Sequence, residues 1–237
     1  MSSGTLLIGC SYLHNIDLRQ INSSKFKIRA TPGAGNQSMA ARVIHECSQQ
    51  TFDRVVVIWS GINRIDIPIG KDLHNVQSKE EKSGEYKYGY FTELGDMVWY
   101  HSGGWALSGC SDPCPGFLKN FFKHQYKGST DRYLSDFSLL SVLQAQSFLA
   151  SRNIPYSMSF IYDIDADYAA SKFGPGLGQI DRSSPLNSLV DWTAFSLEKP
   201  MFEHGLATDQ MTQDQFHPTS KCMIEWFNTY MGIDLKS

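Results

Sequence analysis

Short unbroken apolar runs alternate along this chain with longer stretches in which apolar residues recur every third or fourth position. The runs "TLLIGC" (5–10) and "RVVVIWS" (54–60) are rich in aliphatic and β-branched residues and bounded by turn signals, the pattern of parallel strands buried on both faces. Two weaker strand candidates are "FKIRA" (26–30) and "PYSMSFIY" (155–162). Between them, "NQSMAARVIHECSQQ" opens on Asn36 as N-cap and sets Met39, Val43 and Cys47 on one helical stripe. "RYLSDFSLLSVLQAQSFLASRN" repeats Leu134, Phe137, Leu140, Leu143 and Phe148 and ends ahead of Pro155, which forces extended backbone. A last helix is expected after Pro218, a residue suited to a first turn, running through Ile224, Phe227 and Tyr230. Strands alternating with helices predict an α/β domain whose parallel sheet, of about five strands, is covered on both faces.

The stretch at about 67–131 breaks this rhythm. It carries "KEEKSGEYKYGY", several Gly and Pro residues and no clear period, and it is dense in aromatics such as Tyr86, Tyr88, Trp99 and Trp105. An insertion of this kind after the third strand is either a functional loop or lid, or a unit whose rings form a small core of their own. The whole of 1–237 is read as one domain carrying that insertion.

Composition narrows the possibilities further. With 41% hydrophobic and 19% charged residues and a net charge of −3, the chain is an ordinary globular protein, and its scattered Lys and Arg argue against nucleic acid as a partner. The opening "MSSGTLLIGCSYL" has no basic n-region and only Leu6, Leu7 and Ile8 before Gly9, so no signal peptide is expected and a cytoplasmic location is. No segment approaches the roughly 18 apolar residues of a membrane span, so no membrane partner is expected. Cys10, Cys47, Cys110, Cys114 and Cys222 are odd in number and scattered, which suits reduced thiols. Cys110 and Cys114 with His101 and His124 make a poor zinc set, so neither metal nor organic cofactor is expected.

Ligands of an open parallel sheet bind at the loops leaving the carboxyl ends of its strands. The loop after the first strand presents Ser11, and the second, "TPGAGNQ", presents the N–H groups of Gly33 and Gly35 ahead of a helix. The third, "SGINRID", presents Asn63 and Arg64, and the last, "DQFHP", presents Asp214 and His217. A hydroxyl, an imidazole to take its proton, a carboxylate to orient the imidazole and donors for an oxyanion are what acyl transfer needs.

Four blocks in order, "GCS" (9–11), "PGAGN" (32–36), "GIN" (61–63) and "DQFH" (214–217), resemble the Ser, Gly, Asn and His blocks of the SGNH (GDSL-like) hydrolases. Together with "WSGINR", "NIPYSMSF" and "DWTAF", the chain looks like SGNH-like proteins of tailed, especially marine, bacteriophages. The resemblance implies a three-layer α/β/α, flavodoxin-like domain and a serine esterase acting on a small-molecule or glycan ester, foremost O-acyl or O-acetyl groups on carbohydrate. Ser11, His217 and Asp214 would be the triad, and Ser11, Gly33 and Asn63 the oxyanion hole, with Gly35 as the alternative glycine. A phage origin would place the protein in the host cytoplasm or the virion.

Two positions depart from the family pattern. Cys10 stands where Asp is usual, and Arg64 follows the block Asn where Asp is usual. Arg64 either binds an acidic group of the substrate or pairs with Asp66 or Asp17. Tyr12, His14 and Trp105 complete the candidate substrate contacts, and His14, three residues past Ser11, is also the competing base. Taken singly, Ser11 is as well read as a helix cap, Asn63 as a turn residue and His217 as a surface residue at a helix start. A non-catalytic glycan-binding or virion protein on the same fold, and an O-acyltransferase using the same triad, are the rival functions.

Overall fold

The computed structural model describes residues 4–62, 64–72, 91–101, 131–163, 180–213 and 217–237. Its strands are β1 (Thr5–Gly9), β2 (Phe26–Ala30), β3 (Arg54–Trp59), β4 (Asp66–Gly70), β5 (Phe91–Leu94), β6 (Met97–His101) and β7 (Tyr156–Phe160). Its helices are α1 (Ser11–His14), α2 (Asn36–Gln49), α3 (Asp131–Ser151), α4 (Met201–Ala207) and α5 (Ser220–Met231). A four-stranded parallel sheet has the order β2-β1-β3-β7. Beyond β7, Phe195 makes an isolated parallel bridge to Met158, the only trace of a fifth strand among the described residues.

β1 and β3 lie at the centre because their side chains can be buried on both faces: Leu6, Leu7, Ile8 and Val55 through Trp59 are all 0% exposed. Each such burial contributes about 1.5–3 kcal/mol. From β1 the chain crosses to β2 on one side, and from β3 it crosses to β7 on the other. Right-handed crossovers then put the segment after β1 on one face and α2 and α3 on the opposite one. α2 packs on α3 and α4 on α5, an arrangement compatible with three α/β/α layers. The register aligns Gly9 with Ala30 and Ile58, and Trp59 with Phe160, so the carboxyl ends form one edge with its topological switch between β1 and β3.

α2 keeps its expected stripe, with Met39, Val43 and Cys47 buried, but Asn36 is not its cap. Gly35 holds the N-cap position, and Asn36 is a fully buried first helical residue whose amide accepts from the Ser60 N–H (2.9 Å) and donates to Ser138 Oγ (3.0 Å). The cap comes from outside the helix: Asp66 accepts from the Gly35 N–H (2.9 Å) and the Ser38 N–H (2.8 Å). A carboxylate there suits the positive helix end.

α3 keeps only part of the stripe its large apolar residues suggest, with Leu143 and Phe148 packed half-buried against the core. Leu134, Leu139, Val142, Ala145 and Leu149 are buried with Ser135, Ser138 and Ser141, whereas Phe137 is 37% and Leu140 49% exposed. Small serines let α3 approach α2 closely, and their hydroxyls are satisfied by Asn36, the Asp181 N–H and the Phe137 carbonyl. Pro218 likewise lies outside the last helix, paired with Met211 in an antiparallel bridge, while Thr219 caps α5 by accepting from the Cys222 N–H.

Part of the insertion is regular. β4, β5 and β6 form an antiparallel sheet in the order β4-β6-β5, starting one residue ahead of the expected boundary, at Asp66. Its period was hidden because β4 is half exposed and interrupted by Pro68 on an edge strand. This sheet is tied to α2 by Asp66, whose Oδ1 lies 2.7 Å from His101 Nδ1, both side chains 0% exposed. Replacing Asp66 by Ala leaves buried N–H groups and an imidazole without their acceptor, and is expected to cost about 3–5 kcal/mol. A lowered urea midpoint at unchanged m-value checks this, Asp66→Asn should lose less, and a wild-type midpoint for Asp66→Ala would refute it.

Candidate active site

Ser11 is the first residue of α1, immediately after β1, with the extended Cys10 as N-cap. The strand-to-helix turn is sharp enough that a Cβ on Gly9 would lie 2.8 Å from the Leu13 side chain, which explains the glycine of "GCS". The first-turn N–H of Ser11 has no intrahelical acceptor, as at any helix start. Ser11 itself is buried, at 9% exposure.

His217 reaches this hydroxyl from 206 positions away in the chain: its Nε2 lies 3.0 Å from Ser11 Oγ. The His217 carbonyl accepts from both the Thr212 N–H (2.8 Å) and Thr212 Oγ1 (2.9 Å), and the Thr219 N–H donates to the Gln210 carbonyl (2.8 Å). Those bonds flank the Met211–Pro218 bridge and hold the imidazole at the sheet edge. Tyr12 packs edge-on against the imidazole, with ring centroids 5.3 Å apart, and its hydroxyl bonds that of Tyr162 at 3.3 Å. Burial raises the pKa of both phenols, so both stay protonated and neutral. At 1% exposure Tyr12 is a buried wall behind His217, not the substrate contact expected from its position.

The glycine block forms a tight turn in which the Ala34 N–H donates to the Thr31 carbonyl (3.2 Å). Pro32 and Gly33 occupy its centre, and Gly33 has φ +76°, a left-handed conformation that favours glycine. Of the two glycine donors left open by the sequence, Gly35 is excluded, because its N–H is already bonded to Asp66. The Gly33 N–H makes no hydrogen bond among the described residues.

Arg64 is buried, at 9% exposure, with Nη1 donating to the Ala34 carbonyl (3.4 Å) and the buried Cys10 thiol among its electrostatic neighbours. Neither expected ion pair forms: Asp66 is engaged by α2 and His101, and Asp17 is bonded by Arg19. His14 is exposed at the end of α1 and is not the partner of Ser11 Oγ. Asn63, Trp105 and Asp214 lie outside the described residues, as do Cys110, Cys114 and His124. His101 is taken up by Asp66, and no cluster of three or more metal-ligating side chains occurs among the described residues. Cys10, Cys47 and Cys222 are free, buried thiols. No helix among the described residues is long and apolar enough to cross a membrane.

One ionisable neighbour gave no signal in the sequence. Glu203, on α4, accepts from the Asp163 N–H (3.2 Å) through Oε1, and its buried Oε2 has no hydrogen-bond partner among the described residues. It interacts electrostatically with Tyr162, which joins it to the ring cluster behind His217. Nothing around "MFEHGLA" marks this glutamate out, since its isolation arises from the packing of α4 against the Ile161–Asp163 loop.

No protein-family model matches the chain, and no curated protein matches it either.

Burial pushes the Glu203 carboxyl up to about 7 from its ordinary 4.5, only partly opposed by the Asp163 N–H. The folded state therefore holds a proton that the unfolded state has released between those two values, so stability falls as pH rises from 4.5 to about 7 and levels off above. At about 1.4 kcal/mol per pH unit the loss over this window is expected to be about 3 kcal/mol. Denaturation at pH 5 and pH 8 should show it in the wild type, and Glu203→Gln should flatten the profile and be the more stable protein at pH 8; parallel profiles would refute it.

Proposed function

We propose that the protein is a serine hydrolase of SGNH type that cleaves a carboxylic ester, with carbohydrate O-acyl and O-acetyl groups as the favoured substrate class. The observation that carries this reading is the 3.0 Å contact between Ser11 Oγ and His217 Nε2, made by residues from opposite ends of the chain at the carboxyl edge of a parallel sheet. A histidine that served only as a surface residue at a helix start would have no reason to lie within hydrogen-bond distance of the serine hydroxyl that follows the first strand. The strand order β2-β1-β3-β7 also suits a flavodoxin-like sheet, in which ligands sit at the switch point.

In this reading Ser11 Oγ attacks the carbonyl carbon as His217 Nε2 takes its proton. The tetrahedral oxyanion is received by the N–H groups of Ser11 and Gly33 and by the Asn63 amide. Each such donor contributes about 100- to 1,000-fold in rate. The carbon–oxygen bond to the alcohol then breaks, and the alcohol leaves with the proton from His217. Water attacks the acyl-Ser11 ester, gives its proton to His217, and the acid departs as that proton returns to Ser11 Oγ. Asp214, three residues before His217, is assigned to the remaining ring nitrogen. Trp105 and the rest of the aromatic-rich insertion are assigned to the substrate platform.

A fluorophosphonate serine probe followed by intact-mass spectrometry tests the assignment. One adduct is expected on the wild type and none on Ser11→Ala, while His217→Ala should label at least about 1,000-fold more slowly. Ser11→Ala should unfold at the wild-type midpoint. An adduct that persists in Ser11→Ala, or a folded wild type that never labels, would overturn the hydrolase reading.

A further inference from the structure

Arg64 is a permanent cation withdrawn from water without a carboxylate partner among the described residues. The two acids expected as its ion-pair partners are engaged elsewhere, Asp66 at the start of α2 and by His101, and Asp17 by Arg19. What the guanidinium does contact is the Ala34 carbonyl, at a long 3.4 Å, with the Cys10 thiol nearby, which is little for a group with five donors. Its electrostatic neighbours are the neutral phenols of Tyr12 and Tyr162. A charge buried in this way costs several kcal/mol unless an anion meets it.

The position of Arg64 indicates which anion. Cys10 immediately precedes Ser11, Ala34 immediately follows Gly33, and Tyr12 carries the ring against which His217 packs. The guanidinium therefore lies against the loops that hold the nucleophile and the glycine donor, and near the ring on which the imidazole packs. The tetrahedral oxygen already has backbone N–H groups assigned to it, whereas a planar fork of parallel N–H donors matches a planar carboxylate.

We infer that Arg64 binds a carboxylate carried by the substrate itself, so that the ester cleaved at Ser11 belongs to an acidic molecule, either a half-ester of a dicarboxylic acid or an acylated hydroxy acid such as an acidic sugar. This rests on the esterase reading for its reaction and on the burial of Arg64 for its charge. In the low-polarity surroundings of Tyr12 and Tyr162 the attraction is stronger than it would be in water.

Matched ester pairs provide the test. Mono-p-nitrophenyl succinate against p-nitrophenyl butyrate places the charge on the acyl side, and 4-acetoxybenzoate against its methyl ester places it on the alcohol side. The wild type should prefer the anionic member of at least one pair by about 10- to 100-fold in kcat/KM, the worth of a charge-assisted hydrogen-bonded contact. Arg64→Gln should lower kcat/KM for that anionic ester at least tenfold more than for its neutral partner, and Arg64→Lys should fall between. Absence of a preference in both pairs, or equal losses on both members, would overturn the inference while leaving the esterase reading intact. A binding measurement keeps the two claims apart: 10 mM succinate or benzoate should raise the Tm of the wild type and not that of Arg64→Gln. Should no ester turn over and no fluorophosphonate adduct form, that Tm shift would still support the anion site, and its absence would end it.

Discussion

At the start of α2, two backbone N–H groups, a buried carboxylate from β4 and an imidazole from β6 meet within a few ångströms, and the two sheets of the protein are joined there. The chemistry of the arrangement is simple. A helix start has donors without acceptors and a partial positive charge, and Asp66 supplies acceptors and negative charge to both. Because Asp66 is also the first residue of β4, the same contact fixes where the chain leaves the parallel sheet and begins the antiparallel one. His101, at the far end of β6, closes the unit.

That junction bears directly on the candidate site. By engaging the Gly35 N–H, Asp66 holds the loop after β2 in place and leaves the Gly33 turn to face the sheet edge. By turning away from Arg64, it leaves the guanidinium among Cys10, Ala34, Tyr12 and Tyr162. A second clamp, the pairing of Gln210–Thr212 with His217–Thr219, presents the imidazole from the opposite end of the chain. Between the two clamps lies the Ser11 hydroxyl, at the end of a fully buried strand. The buried Tyr12 ring packs against His217 and is backed by Tyr162, so the imidazole stands between a neutral aromatic ring and the hydroxyl it contacts.

Much of this was legible from residue order. β1 and β3 announced themselves as continuous apolar runs, because strands buried on both faces need no alternation. Ser11 and His217 could be singled out because the carboxyl ends of such strands are where ligands bind, and folding brings the two side chains within 3.0 Å of each other. The inward face of α3 is legible only in part, through Leu134, Leu143 and Phe148, for an equally physical reason. Counting large apolar residues favours Phe137 and Leu140, but close packing against α2 selects serines whose hydroxyls find partners, such as Ser138 with Asn36. The sheet made by β4, β5 and β6 was missed because its strands are short and β4 is largely uncovered and interrupted by Pro68.

The sequence by itself determined the alternation of strands and helices, the order of the Ser, Gly and His blocks and the chemical types brought to the sheet edge, since these depend on local pattern and on rules of chain topology. Only the tertiary structure decided which charges pair. Asp66 stands two residues from Arg64 in the chain, yet it turns to Gly35, Ser38 and His101. Proximity in sequence supplies a possible partner, but the free energy of a buried charge is set by every donor around it, and those donors come from α2 and β6. The same reasoning separates Gly33 from Gly35 and Tyr12 the wall from Tyr12 the substrate contact: in each case the distinguishing contact joins residues that only folding brings together.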